Sequence, residues 1–334
     1  MTDLEKEDIE LIAESYCDWN KLNNKTIMLA GGTGFIGSLV CDVIRYRNYK
    51  YNANIKVISL SRRVIASDDT IEYIQADVNK ELSIEREVDY VLHLASNTHP
   101  VQYQQDPIGT ITTNIIGCNN LLKYAVEHKA KRFLLVSSVE IYGQGSNIPM
   151  NEEYCGYIDC NNARSGYNES KRTCESLCQA YRKQYGIESV TVRLARTFGA
   201  DKKNDSKAMA QFISKAVAGQ DIVLKSKGKQ RYSYCYVADA VSAIFKVLLE
   251  GIDGDTYNVS DDDEGMTLGE YAEFIASNAE KKVVFDIENN ESSSKATYAL
   301  LECKKLKSIG WEPLFSIKDA LKRTYNIYIE RNKV

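Results

Sequence analysis

Short runs of apolar and β-branched residues recur along the first two thirds of the chain, at residues 26–30, 55–60, 71–75, 90–95, 133–137 and 189–194. Between them, near residues 36–47, 107–129 and 165–185, apolar positions return at helical spacing. Strand, helix, strand in repetition predicts an α/β fold: a Rossmann-type, doubly wound parallel sheet with helices on both faces and right-handed crossovers. Residues 1–24, with Leu4, Ile9, Leu11, Ile12 and Trp19 set among acids, predict a short helical extension lying on that domain.

After residue 196 the pattern changes to Lys- and Asp-rich loops, a helix near 207–218 and the aromatic run 232–237. A helix at 238–250 and a strand at 256–259 are expected to return to the sheet, with further helices near 267–280 and 316–330. The expected organisation is a dinucleotide-binding domain over 25–195, to which 230–260 returns, and a smaller C-terminal α/β substrate lobe made of 196–229 and 261–334. Ligands of such folds sit outside the carboxyl ends of the strands, which places the cleft between the lobe and the first strand-to-helix turn.

Composition narrows the possible partners. The 334 residues hold 42 Lys and Arg against 46 Asp and Glu, a net charge of −4 with no basic field to attract nucleic acid or an anionic membrane. No apolar run long enough to span a bilayer occurs and the first twenty residues lack an apolar leader core, so a cytoplasmic protein is expected. The nine cysteines are read as thiols, and the three histidines have no Cys-x-x-Cys companion, so no metal site is expected. Cys174 and Cys178, four apart on a helix, read as small buried residues.

The first chemical signal is Gly31-Gly32-Thr33-Gly34-Phe35-Ile36-Gly37, between the first strand and the first crossover helix. Gly31 permits a tight turn, Gly34 lets backbone approach a pyrophosphate, and Gly37 lets helix and strand pack closely, while the helix N-terminus offers N–H groups to the anion. At the end of the second strand, where a carboxylate would hold the ribose hydroxyls of NAD, the chain reads Ser61-Arg62-Arg63. A missing acid and two guanidinium groups favour NADP(H), with NAD(H) as the alternative. Asp77, after the third strand, is suited to accept from the adenine amino group, and a plain turn uses Asp equally well.

Tyr167 and Lys171 lie one helical turn apart, and Ser137 and Ser138 end an apolar strand. A phenol with an ordinary pKa of about 10 is a poor base at neutral pH until a neighbouring ammonium stabilises its anion. Lys171 supplies that charge, and a serine hydroxyl would hold the reacting oxygen.

In these features the sequence resembles the extended short-chain dehydrogenase/reductase family of NAD(P)-dependent nucleotide-sugar epimerases, dehydratases, decarboxylases and reductases, from about residue 25 to 330. The matching features are the glycine loop, Asp77-Val78, His93-Leu94-Ala95-Ser96, Asn114 with Gly117, residues 137–143, Tyr167 with Lys171, Arg193 through Phe198-Gly199, and Tyr236-Val237-Ala238-Asp239. The resemblance implies Ser138 as catalytic hydroxyl, Tyr167 as acid/base and Lys171 as its partner on the nicotinamide ribose. It adds Val78, Leu94, Ala95, Ser96 and Asn114 to the cofactor site and Asn97, Arg196, Arg231 and Tyr232 to the substrate site. It also implies a homodimer through the helices near 107–129 and 165–185, with Ile111, Ile115, Leu122 and Leu177 as candidates for the outward face.

Several departures bear on the reaction. Where the family's dehydratases carry an Asp-Glu pair the chain has Val139 and Glu140, which disfavours dehydration and leaves Glu140 as a candidate catalytic carboxylate of the decarboxylase or epimerase kind. The family's Asn near the end of the sixth strand is Arg196, and the Arg expected seven residues before Asp239 is Tyr232, with Arg231 beside it. The leading expectation is an NADPH-dependent reductase acting on a carbonyl of a nucleotide sugar or phosphorylated sugar, as in capsule or other surface-polysaccharide precursor synthesis. The alternatives are an epimerase, decarboxylase or 4,6-dehydratase with retained cofactor, and a non-catalytic dinucleotide sensor.

Overall fold

A computed structural model describes residues 1–96, 105–201, 207–261, 265–287 and 298–332. In chain order the strands are β1 (Thr26–Ala30), β2 (Lys56–Ser61), β3 (Ile71–Gln75), β4 (Tyr90–His93), β5 (Arg132–Ser138), β6 (Glu188–Leu194), β7 (Arg196–Phe198), β8 (Ile222–Leu224), β9 (Arg231–Tyr232), β10 (Tyr234–Tyr236), β11 (Thr256–Val259), β12 (Met266–Thr267), β13 (Val283–Phe285) and β14 (Tyr298–Ala299). The helices used below are α1 (Asp3–Glu14), α2 (Phe35–Tyr51), α3 (Pro107–Glu127), α4 (Ser165–Tyr185), α5 (Ala208–Val217), α6 (Val237–Glu250), α7 (Leu268–Asn278), α8 (Lys304–Ser308) and α9 (Ile317–Arg331).

Seven strands form one parallel sheet in the order β11-β6-β5-β4-β1-β2-β3. The order reverses between β1 and β4, which opens a crevice at their carboxyl ends. Both faces are covered, so the strands read as continuous apolar runs. On one face α2 and α6 pack with α1 into a core that includes Val40, Ile44, Val241 and Leu248; on the other, Cys118, Leu121, Cys174 and Cys178 of α3 and α4 meet the sheet. The burial of Cys174 and Cys178 agrees with their reading as packing residues.

Helix α6 is buried from Val237 to Leu249, and even Lys246 lies inside, its ammonium 2.6 Å from Glu250 and 3.2 Å from the Tyr16 carbonyl. That paired partner is what makes a buried lysine tolerable. Helix α3 starts on Asp106, whose side chain accepts from the Gly109 N–H at 2.9 Å ahead of Pro107, and α4 stops at Gly186 in the left-handed region (φ +74°).

The extension at the start of the chain is integral to the fold. Thr2 and Glu5 form a reciprocal capping box on α1. Asp8 is buried, with one oxygen 2.5 Å from Arg323 Nε of α9 and the other accepting from the Tyr236 hydroxyl. Glu5 pairs with Arg331 at 2.6 Å.

Two expectations differ from the structure. Of residues 230–260, α6 and β11 join the main domain, but β9 and β10 form small sheets of their own, β12-β9-β14 and β10-β7. Leu122 is fully buried against the sheet and so is not on the helix's outward face; on the same helix the exposed apolar residues are Ile108 and Ile116. Helix α3 is apolar on more than one face, so spacing alone does not separate its sheet side from its outer side. Among the described residues no helix is long and apolar enough to cross a membrane.

Candidate active site

The turn after β1 is shaped for a diphosphate. Gly31 sits at φ +99°, and a Cβ there would lie 2.8 Å from the Ala95 nitrogen. A Cβ on Gly37 would overlap the Gly31 carbonyl oxygen. Gly34 donates to that same oxygen at 3.0 Å and caps α2 without a side chain, leaving the first-turn N–H groups to a ligand. Thr33, Phe35 and Ile36 are half-buried around this turn. The residues present therefore fit a dinucleotide pyrophosphate.

Further along the carboxyl edge, Ser61 is buried and its hydroxyl accepts from the Arg63 N–H at 3.1 Å. Arg62 and Arg63 are exposed, and neither guanidinium has a partner among the described residues. Arg62, Gln75, Asp77, Lys80 and Ser83 line a cleft of about 530 Å³ beside the ends of β2 and β3. Asp77 Oδ1 accepts from the Asn79 N–H at 3.0 Å, so the turn reading of this residue holds alongside a ligand reading. Val78 packs against Gly117, where an added Cβ would lie 2.8 Å from Val78 Cγ2.

At the switch point, β4 runs into Leu94, whose N–H donates to the Ala30 carbonyl at 2.8 Å, and on to Ala95 and Ser96. The Ser96 hydroxyl donates to Asn114 Oδ1 at 2.7 Å, and Asn114 Nδ2 donates to Ser170 Oγ at 2.8 Å. This chain of side chains, buried at Asn114 and Ser170, ties α3 to the turn of α4 that carries Tyr167. Asn97 lies outside the described residues.

Tyr167 and Lys171 are both buried, and Lys171 Nζ donates to the Val136 carbonyl at 2.9 Å. Beneath them His93 is held neutral: burial, with the Lys171 ammonium adding, pushes its pKa down to about 3. Ser138 is half-buried at the end of β5, its Oγ accepting from the Glu140 N–H at 3.3 Å, while Ser137 is buried. Val139, at the place of the dehydratase acid, is packed into the core.

Glu140 is half-buried and held from two sides. Asn168 Nδ2 lies 2.7 Å from its carbonyl and 3.4 Å from Oε2, and Arg196 Nη2 lies 3.4 Å from Oε1. The Arg196 guanidinium rests 4.0 Å over the ring of Tyr232. Arg231, next on the strand, turns elsewhere, donating to the Gly265 carbonyl at 2.9 Å. The structure thus brings Ser138, Glu140, Arg196 and Tyr232 into one linked group, which Asn168 joins to the helical turn of Tyr167. Asn168 itself escaped the sequence reading, since an Asn beside a tyrosine carries no spacing signal.

A glycine cradle at a topological switch point, with a tyrosine and a lysine one turn apart beside a serine-ended strand, defines a dinucleotide-dependent enzyme of the short-chain dehydrogenase architecture. Residues 27–260 match the NAD dependent epimerase/dehydratase family, and the chain belongs to it. It is 31% identical over 309 residues to UDP-glucuronic acid decarboxylase 5 of Arabidopsis thaliana, covering 90% of this chain and 88% of that protein. It is 30% identical over 312 residues to UDP-glucuronic acid decarboxylase 1 of Danio rerio, covering 92% and 73%. Among solved structures, the dTDP-glucose 4,6-dehydratase of Streptomyces venezuelae with NAD bound superimposes with a TM-score of 0.79 at 22% identity, over 92% of this chain and 98% of that one.

Proposed function

We propose that this chain remodels the sugar of a nucleotide sugar in a redox-neutral cycle with a retained dinucleotide, and that the reaction is decarboxylation of a uronic acid unit. The observation that carries this reading is Glu140, a lone carboxylate two residues past Ser138, where Val139 removes the acid that water elimination needs. The relatives' decarboxylase names support it, and they favour it over net reduction of a carbonyl.

When bound, the dinucleotide supplies a reversible acceptor for the electron pair of a sugar C–H bond. Tyr167, as the phenolate that Lys171 stabilises, takes the hydroxyl proton and becomes the phenol, and Ser138 holds the oxygen in line. A ketone placed β to a carboxylate makes loss of CO2 facile: the C–C electron pair passes into an enolate, which takes a proton from solvent at the carbon that held the carboxylate, and Tyr167 returns its own proton to the oxygen when the C–H bond and the hydroxyl are restored. Gly31, Gly34 and Gly37 would hold the pyrophosphate, and Ser96 with Asn114 would fix the wall behind the nicotinamide.

For the coenzyme we favour NADP(H), on the exposed Arg62 and Arg63, whose guanidinium groups have no partner among the described residues, and on the missing acid after β2. A second reading, NADPH-dependent reduction of a sugar-nucleotide carbonyl in surface-polysaccharide synthesis, rests on the same two arginines. We also place the protein in the cytoplasm as a homodimer, with Ile108 and Ile116 of α3 on the shared face; sedimentation as a monomer would remove that part.

The deciding experiment incubates the purified chain with UDP-glucuronic acid and follows the nucleotide sugar by mass spectrometry. Loss of CO2 without net change in reduced-nicotinamide absorbance is expected. Substrate returned intact, or stoichiometric loss of NADPH absorbance, overturns the redox-neutral decarboxylase reading.

A further inference from the structure

Two arginines three residues apart behave differently. Arg193 is satisfied on every side: Nη2 lies 2.6 Å from Glu175, Nε 3.1 Å from the same carboxylate, and Nη1 within 2.9 Å of both the Tyr142 hydroxyl and the Glu152 carbonyl. That is a structural cation. Among the described residues Arg196 has one ionic contact, long at 3.4 Å and single-pronged, to Glu140, and its Nη1 is buried with no partner there. A buried charged donor left unpaired is costly, and a guanidinium is built to engage an oxyanion through two parallel bonds.

Its position is equally specific. β5 and β6 pair Ser138 with Leu194, so Arg196 emerges two residues beyond the strand neighbour of Ser138, at the carboxyl edge where ligands of such sheets bind. The Tyr232 ring supports one face of the guanidinium at 4.0 Å and fixes its plane. Glu140 is therefore a weak occupant of a cation oriented for a stronger one.

We propose that Arg196 is the specificity-determining residue of this site: it takes the carboxylate of the sugar through a two-pronged contact, in competition with Glu140. This rests on the uronic acid reading above. Displaced from Arg196, the Glu140 carboxylate keeps its Asn168 contact and is freed on the turn that follows Ser138. A neutral sugar leaves the Glu140–Arg196 pair closed.

The test measures binding, so it is separate from turnover. Dissociation constants for UDP-glucuronate, UDP-glucose and UDP are obtained by calorimetry on the parent chain and on the Arg196→Gln, Arg196→Lys and Glu140→Gln variants, each checked for a cooperative melt. Arg196→Gln is expected to weaken UDP-glucuronate by about 10- to 100-fold and to leave UDP-glucose and UDP within twofold. Arg196→Lys, which keeps the charge without the fork, should recover only part of the loss and serves as the probe if the Gln variant does not fold. Glu140→Gln removes the competitor and should tighten UDP-glucuronate alone. Equal weakening of all three ligands would assign Arg196 to the diphosphate and overturn the proposal, as would no preference for UDP-glucuronate in the parent. Binding with this selectivity but without CO2 release would sink decarboxylation and leave the role of Arg196 standing.

Discussion

The ammonium of Lys171 donates to the main-chain carbonyl of Val136 at 2.9 Å, which pins α4 to the strand ending in Ser138. One of the three donors of the lysine is thereby spent on position; in the proposed cycle the others would serve a ribose and the tyrosine oxygen. Tyr167→Phe should lower kcat by about 10²- to 10⁴-fold with dinucleotide affinity within twofold, read by steady-state kinetics and calorimetry. An unchanged kcat would remove the tyrosine from the chemistry. Lys171→Met should weaken both turnover and dinucleotide binding, since it loses the charge and the tether together.

Gly37→Ala places a methyl group against the Gly31 carbonyl, main chain against main chain, which no side-chain rotation relieves. Dinucleotide affinity should fall by at least tenfold, and stability by about 1–3 kcal/mol, the usual cost of overpacking. Gly186→Ala is the control: nothing surrounds its Cβ position, so only the left-handed backbone is strained and binding should be untouched.

Arg62→Ala combined with Arg63→Ala should cost NADP(H) about tenfold or more in affinity and leave NAD(H) unaffected, measured by fluorescence titration of the reduced coenzymes. Equal losses for both coenzymes would mean that the basic turn holds something other than the 2′-phosphate.

Two buried groups set opposing pH dependences. Burial, reinforced by the Asp8 carboxylate, pushes Asp239 up to about 7, and burial with Lys171 pushes His93 down to about 3. Asp239 keeps a proton that the unfolded chain releases near pH 4, so stability falls as pH rises from about 4 to 7 and then levels off. His93 stays neutral while the unfolded chain gains a proton below about pH 6.5, so stability falls again as pH drops toward 3. Asp239→Asn imitates the protonated form and should abolish the first loss alone. Its melting temperature should match the parent at pH 4 and exceed it at pH 8, the gap opening between about pH 4 and 7. An identical pH slope in both proteins would refute the assignment.

The seven-stranded sheet was readable because strands covered on both faces are written as uninterrupted apolar runs, and the cradle because three glycines fall between such a run and a helix. The small sheets were not, since β7, β9, β10, β12 and β14 span only two or three residues, too few for a period. Tyr167 and Lys171 share one turn and announce themselves. Glu140 and Arg196 meet across 56 positions and Asp8 and Arg323 across 315, separations at which no spacing rule operates. Position 196 was legible as a departure from the family pattern, but its carboxylate partner emerged only from the folded chain.

Asp8 with Arg323 and Glu5 with Arg331 clasp the helix at residues 3–14 to the helix at 317–331. The pairs run antiparallel, Glu5 to Arg331 and Asp8 to Arg323, so tension that draws the two helices apart meets these ion pairs in turn before it reaches the sheet. A polypeptide spliced shut across the clasp and cut open at an exposed turn elsewhere should keep both its architecture and its catalytic crevice, whereas trimming the first fourteen residues would unlatch the last helix.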